Sequence, residues 1–210
     1  MMISVEKNFI FVHVAKTGGQ AMKSVLRPYA VQKASGQWRR LLSHLPVREA
    51  LDAQLGPHTS ASWAKRKLPR DFFDHAFKFG LVRNPYDLAV SRYFFVRSHT
   101  DHHRHEDSQK QSFADFLLAQ KRRVRWRQKD QTAMLSDGDG TLLVDKVYRF
   151  EEMEEAYNDI VRRLDLKEAL PLTRRNSSSH ADYRSYYTER ERALVENLWR
   201  RDIDRFGYTF

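Results

Sequence analysis

Apolar residues in this chain come in blocks separated by polar or glycine-rich breaks. Phe9 to Ala15 is a β-branched and aromatic run flanked by polar residues and then two glycines, the pattern of a buried strand. Ala21, Met22, Val25 and Leu26 then fall at helical spacing until Pro28 stops the helix. A short helix is predicted from Pro46, with Val47, Ala50, Leu51 and Leu55 on one face and Gly56 at its stop. The strand-loop-helix pattern then returns. Phe77 to Val82 reads as a strand, Asn84-Pro85 as a capped helix start, and Tyr86, Ala89, Val90, Tyr93 and Phe94 as the helix's apolar stripe.

From Arg97 to Gln111 the chain is polar and without period, which predicts an exposed loop. "FADFLLAQKRRVRWRQ" reads as a basic helix, "SDGDG" as a turn and "TLLVDKVYRF" as a strand deep in the sheet. Met153, Ala156, Tyr157, Ile160, Val161 and Leu164 mark a further amphipathic helix. A last helix opens on the capping box Thr188-Glu189-Arg190-Glu191 and carries Val195, Trp199, Ile203 and Phe206. Strands alternating with helices predict an α/β fold, a central parallel sheet with helices on both faces. The 210 residues hold enough apolar side chains for one core, so a single domain over 1–210 is expected.

Charge and missing residue types narrow the chemistry. A formal charge of +10 favours anionic ligands or polyanions. The absence of cysteine excludes disulfides, thiolate metal sites and a cysteine nucleophile. "FIFVHVA" is too short to span a bilayer and lacks the flanks of a signal peptide, so a soluble, cytoplasmic protein is expected.

The loop "HVAKTGGQAM" joins the first buried strand to its helix. A triphosphate-binding loop places lysine after the last glycine, in the order GxxxxGK[ST]; here Lys16 and Thr17 precede Gly18 and Gly19. The physical parts of an anion site are present all the same: glycines that let backbone approach, a helix N-terminus and a lysine charge. The alternative is a tight turn with a solvated lysine. Arg83 ends the second strand and Ser91 follows eight residues later. Taken singly, Arg83 reads as a partner of Asp87 and Ser91 as a polar position on an exposed helix face.

Together, "KTGG" and "RNPYDLAVSRY" resemble the donor-binding signature of sulfotransferases that use 3′-phosphoadenosine 5′-phosphosulfate (PAPS), most closely their carbohydrate branch. "VDKVYRFEEMEE" and the block from "RRNSSSH" to the C-terminus are also similar to that family, so the resemblance covers most of the chain. It implies a P-loop-like fold and transfer of a sulfuryl group from PAPS to a hydroxyl, on a carbohydrate or glycoconjugate, without a metal. By the same resemblance Lys16, Thr17, Gly18 and Gly19 bind the 5′-phosphosulfate, and Arg83 and Ser91 the 3′-phosphate. Gln20 and Ala21 stand where the family has threonine or serine, and are left to contribute backbone N–H groups. Arg175 and Ser177 match a segment near the 3′-phosphate.

Sulfuryl transfer requires relief of charge on the leaving oxygen, a task that suits Lys16, and a base for the acceptor hydroxyl. Of nine histidines, His44 takes the base role, because the uronyl 2-O-sulfotransferase branch has its catalytic histidine at a similar place in chain order. His13 reads as a core histidine with satisfied nitrogens. His99, His102, His103 and His105 read as surface residues. "QKRRVRWRQK" could guide an acidic glycan, with Trp126 against a sugar face, or form a solvated helix side. The rival functions are a nucleotide or small-molecule kinase with an atypical phosphate loop and a non-catalytic polyanion-binding module. No nucleic-acid-binding module is recognised.

Overall fold

The structure, a computed structural model, describes residues 1–31, 55–124, 130–167, 171 and 181–210. In chain order the strands and α-helices are β1 (Met2–Ser4), β2 (Phe9–Val12), α1 (Gly19–Leu26), α2 (Ala61–Lys67), α3 (Arg70–His75) and β3 (Phe77–Val82). There follow α4 (Pro85–Ser98), α5 (His105–Gln109), α6 (Phe113–Val124), α7 (Gln131–Leu135), β4 (Lys146–Arg149), α8 (Met153–Arg163) and α9 (Glu189–Phe206). The helix predicted from Pro46 and the basic stretch around Trp126 fall largely outside the described residues.

The chain divides into two compact units, each built from two stretches of sequence. The first, Met1–Val82 with Ala133–Arg175, holds the whole sheet, in the order β1-β2-β3-β4. β2, β3 and β4 run parallel, with Phe11 opposite Phe79 and Leu81 opposite Tyr148. The architecture is thus α/β with a mostly parallel sheet. β1, which the hydrophobic pattern did not announce, pairs antiparallel with β2, and its outer side meets Val31, whose N–H donates to the Ile3 carbonyl at 2.8 Å.

All four residues of β2 are buried, as a strand covered on both faces requires. Phe9, Phe11, Phe79 and Leu81 form one core with Met22, Val25 and Leu26 of α1 and Ala156 and Ile160 of α8. That core fixes the angle at which α1 leaves the loop after β2. Gly80 at the middle of β3 is closely packed, since a Cβ there would lie 2.5 Å from Leu135 Cδ2 and 3.3 Å from the Val12 carbonyl oxygen. β4 differs from the expectation of a deep strand. Among the described residues it lies at the sheet edge and buries only Tyr148, its apolar letters being offset by Lys146 and Arg149.

The second unit, Arg83–Thr132 with Asn176–Phe210, packs Tyr86 and Ala89 of α4, Leu117 of α6 and Val195 and Trp199 of α9. Both halves of the predicted capping box at Thr188 and Glu191 are formed. The stretch from Arg97 to Gln111 departs from the predicted loop: it contains α5 and is fastened to α4. Arg97 Nη1 donates to the Ser108 carbonyl, Gln109 Nε2 to the Arg97 carbonyl at 2.7 Å, and the Tyr93 hydroxyl to the Gln111 carbonyl at 3.0 Å. Polar side chains bonded to local backbone give a segment order that hydrophobic periodicity does not register.

Candidate functional site

Between β2 and α1 the backbone turns through two left-handed residues, Lys16 at φ 68° and Gly18 at φ 75°. A non-glycine residue in this region is uncommon, and here it is the lysine singled out by the sequence. Thr17 is wholly buried, and its hydroxyl donates to the Val14 carbonyl at 3.0 Å, pinning the loop from below. Its side chain therefore serves the turn, and only its backbone is left for a ligand.

α1 begins with Gly18 at its N-cap, no side-chain cap and no acidic residue in its first turn. Helix starts are ordinarily satisfied by a serine, threonine or aspartate, so an uncapped start beside a lysine favours an outside anion. Ala21 and Met22 return their N–H groups to the Gly18 carbonyl at 3.0 and 3.4 Å. This takes Ala21 out of the expected donor set and leaves Gly19 and exposed Gln20 as the first-turn donors.

Both glycines are also demanded by space. A Cβ on Gly18 would lie 2.2 Å from Met153 Cε and 2.8 Å from Phe150 Cδ2, on a backbone already at positive φ. A Cβ on Gly19 would lie 2.0 Å from Cδ2 and 2.3 Å from Nε2 of His13. Because an imidazole is rigid, Gly19→Ala is expected to cost about 1–3 kcal/mol of stability through this clash. Adding His13→Ala should recover part of the loss, and denaturant titration of the single and double variants measures it. Equal stability of Gly19→Ala and the parent would show that the ring yields freely.

His13 corrects an expectation. It is buried, as predicted, yet Nδ1 has no hydrogen-bond partner. Its ring stands 4.8 Å from that of His58, centroid to centroid. Burial, then Lys23, His58 and the Met1 amino group, push its pKa down to about 3, against a backbone hydrogen bond with Pro57. The imidazole is neutral, and it forms a hard floor under the first residue of α1. The orphaned nitrogen was not legible in the sequence, since the strand pattern around His13 says only that the residue is buried.

In the second unit the predicted cap is present, with the Asn84 side chain accepting the Tyr86 N–H at 3.1 Å and Pro85 opening the helix. Asn84 Nδ2 in turn donates to the Thr209 carbonyl at 2.9 Å, so this helix start is tied to the C-terminal segment. Arg83 is buried and its Nε donates to Asp87 Oδ2 at 2.7 Å, so the pairing weighed from sequence does form. That ion pair orients the guanidinium along α4. Ser91 is 1 % exposed, which overturns the exposed-face reading: α4 buries Leu88, Ala89, Val90, Ser91 and Arg92 in succession.

Sequence reasoning missed two further residues. Gln131 is 1 % exposed; its Oε1 accepts the Arg83 N–H and its Nε2 donates to the Arg83 carbonyl, both at 2.8 Å. Asp202, fully buried on α9, accepts the N–H groups of Gln131 and Thr132 at 2.9 and 2.8 Å and the Thr132 hydroxyl at 2.7 Å. A signal for Asp202 was available: a carboxylate three residues after Trp199 sits on that helix's apolar face. Gln131 carries no local signal.

His44, Arg175 and Ser177 lie outside the described residues. Among the described residues no group of histidine, aspartate and glutamate side chains could hold a metal ion, and no helix is long and apolar enough to cross a membrane. No curated protein matches the chain. A family model described as the sulfotransferase family matches residues 1–209. The lysine-glycine loop after β2, the arginine-serine pair after β3 and a match over nearly the whole length agree: the chain belongs to the sulfotransferase family, whose enzymes take their sulfuryl group from PAPS.

Proposed function

We propose that this enzyme transfers a sulfuryl group from PAPS to a hydroxyl of a carbohydrate or glycoconjugate. The observation that carries the donor half of this reading is the uncapped start of α1, next to the left-handed Lys16 and Gly18. Successive N–H groups in such a turn make an anion-binding concavity, and the helix adds its positive end. Residues present there fit an anionic phosphosulfate, since no carboxylate competes in the first turn of the helix.

PAPS supplies an activated sulfuryl group whose departure leaves negative charge on a phosphate oxygen. Lys16 and the N–H groups of Gly19 and Gln20 stabilise that charge with donors already oriented before reaction. Arg83 and Ser91 hold the 3′-phosphate. Arg83 brings a permanent charge from a buried position, where Coulomb attraction is less screened than at the surface. Arg175 and Ser177 are assigned to the same end of the donor.

His44 is assigned as the base for the acceptor hydroxyl, on its place in the chain. His13 is a poor alternative, since its buried ring and lowered pKa leave it a weak proton acceptor. A carbohydrate acceptor is favoured by the branch that the motifs resemble and by the +10 charge, which suits acidic glycans.

Thermal melting tests the donor. Adenosine 3′,5′-bisphosphate at about a hundred times its dissociation constant should add about 2.7 kcal/mol of stability, and ATP with magnesium much less. The reverse ranking would point to a kinase. Equal, salt-sensitive effects of any polyanion would point to a binding module.

A further inference from the structure

The sheet ladder beside β3 runs up to the pair Val82 and Arg149, and Arg83 is the next residue. There the amide of Gln131 takes the place of a neighbouring strand, bonding both the N–H and the carbonyl of Arg83 at 2.8 Å. A single planar group that engages both polar atoms of one residue fixes the direction in which its Cα–Cβ bond leaves the backbone. Asp87 then steers the other end of the same side chain through Nε.

Gln131 is itself set by Asp202. The first two N–H groups of α7, those of Gln131 and Thr132, both donate to this buried carboxylate. A short helix that would otherwise start with unsatisfied donors is thereby anchored to α9. The chain of support runs from Asp202 through the start of α7 to the Gln131 amide and so to Arg83. All four residues belong to the second unit.

We propose that Gln131 is a positioning residue for donor recognition, which aims Arg83 at the 3′-phosphate while touching no ligand itself. The proposal rests on the reading of Arg83 as the 3′-phosphate ligand. It assigns Gln131 a role in telling a 3′-phosphorylated adenosine nucleotide from one without that group. A glutamine that merely closed the end of a strand would affect both nucleotides alike.

Calorimetric titration of the full chain separates these roles, with adenosine 3′,5′-bisphosphate and adenosine 5′-monophosphate as the two probes. Gln131→Glu preserves shape but removes the donor to the Arg83 carbonyl. It should weaken the bisphosphate about tenfold and leave the monophosphate unchanged. Gln131→Ala should do at least as much, and neither change should add to the loss already caused by Arg83→Ala. If Arg83→Ala keeps the parent's preference for the bisphosphate, the donor reading itself fails. If Arg83→Ala loses that preference while Gln131→Glu stays within about twofold of the parent, the positioning role is overturned. It is equally overturned if Gln131→Glu weakens both nucleotides to the same degree, or if its loss multiplies with that of Arg83→Ala. Should Gln131→Ala fail to fold, the isosteric glutamate variant decides.

Discussion

Lys16→Ala is expected to slow sulfuryl transfer by about 10²–10³-fold, the usual loss when one preoriented donor to a developing oxyanion is removed. The fold should not follow it down. At φ 68° the cost of the left-handed backbone arises from the Cβ, which alanine shares with lysine, so the exchange introduces no new strain. The turn is held besides by the Thr17 hydroxyl on the Val14 carbonyl and by the packing around both glycines. Activity with saturating donor, read beside the melting temperature of the free protein, tests the assignment. Turnover within a few-fold of the parent would remove Lys16 from the chemistry, and a large drop in melting temperature would make its role structural.

The second large effect is a loss of stability in mild acid. His13 titrates at about 3 when folded, whereas an unfolded histidine titrates near 6.5. Between those values the unfolded chain holds a proton that the folded chain refuses, so stability falls as pH falls. The contribution is complete above about pH 6.5 and declines by about 1.4 kcal/mol per pH unit below it, or about 2 kcal/mol by pH 5. Burial is the main cause, and the nearby Lys23 and His58 add to it. Urea midpoints at pH 7 and pH 5, compared between the parent and His13→Gln, isolate this share. If both lose the same stability, other groups govern the acid response.

Segments that carry their own punctuation were legible in the sequence. β2, β3 and the start of α4 follow from Phe9–Val12, Phe77–Val82 and Asn84-Pro85 alone, because a buried apolar run and an asparagine cap act within a few residues. The left-handed Lys16 fits the glycine-rich context but could not be assigned to that residue, because the turn's path is set by Val14 below and by Phe150 and Met153 far along the chain. Ser91 was hidden for a related reason: it stands outside the apolar stripe read from Tyr86, Ala89, Val90, Tyr93 and Phe94, while the folded helix also buries Leu88, Ser91 and Arg92. Gln131 was beyond reach, since its meaning resides in two hydrogen bonds across 48 residues.

β1 adds only three residues, yet it changes what the sheet offers to other molecules. Without it, the apolar strand Phe9–Val12 would present a row of open backbone groups, a template on which a second chain could polymerise. A short cover strand, itself met by the Val31 N–H at the Ile3 carbonyl, pairs with those groups. Three residues thus supply the backbone partners that this side of Phe9–Val12 would otherwise lack, with Met2, Ile3 and Ser4 set opposite Phe11, Ile10 and Phe9.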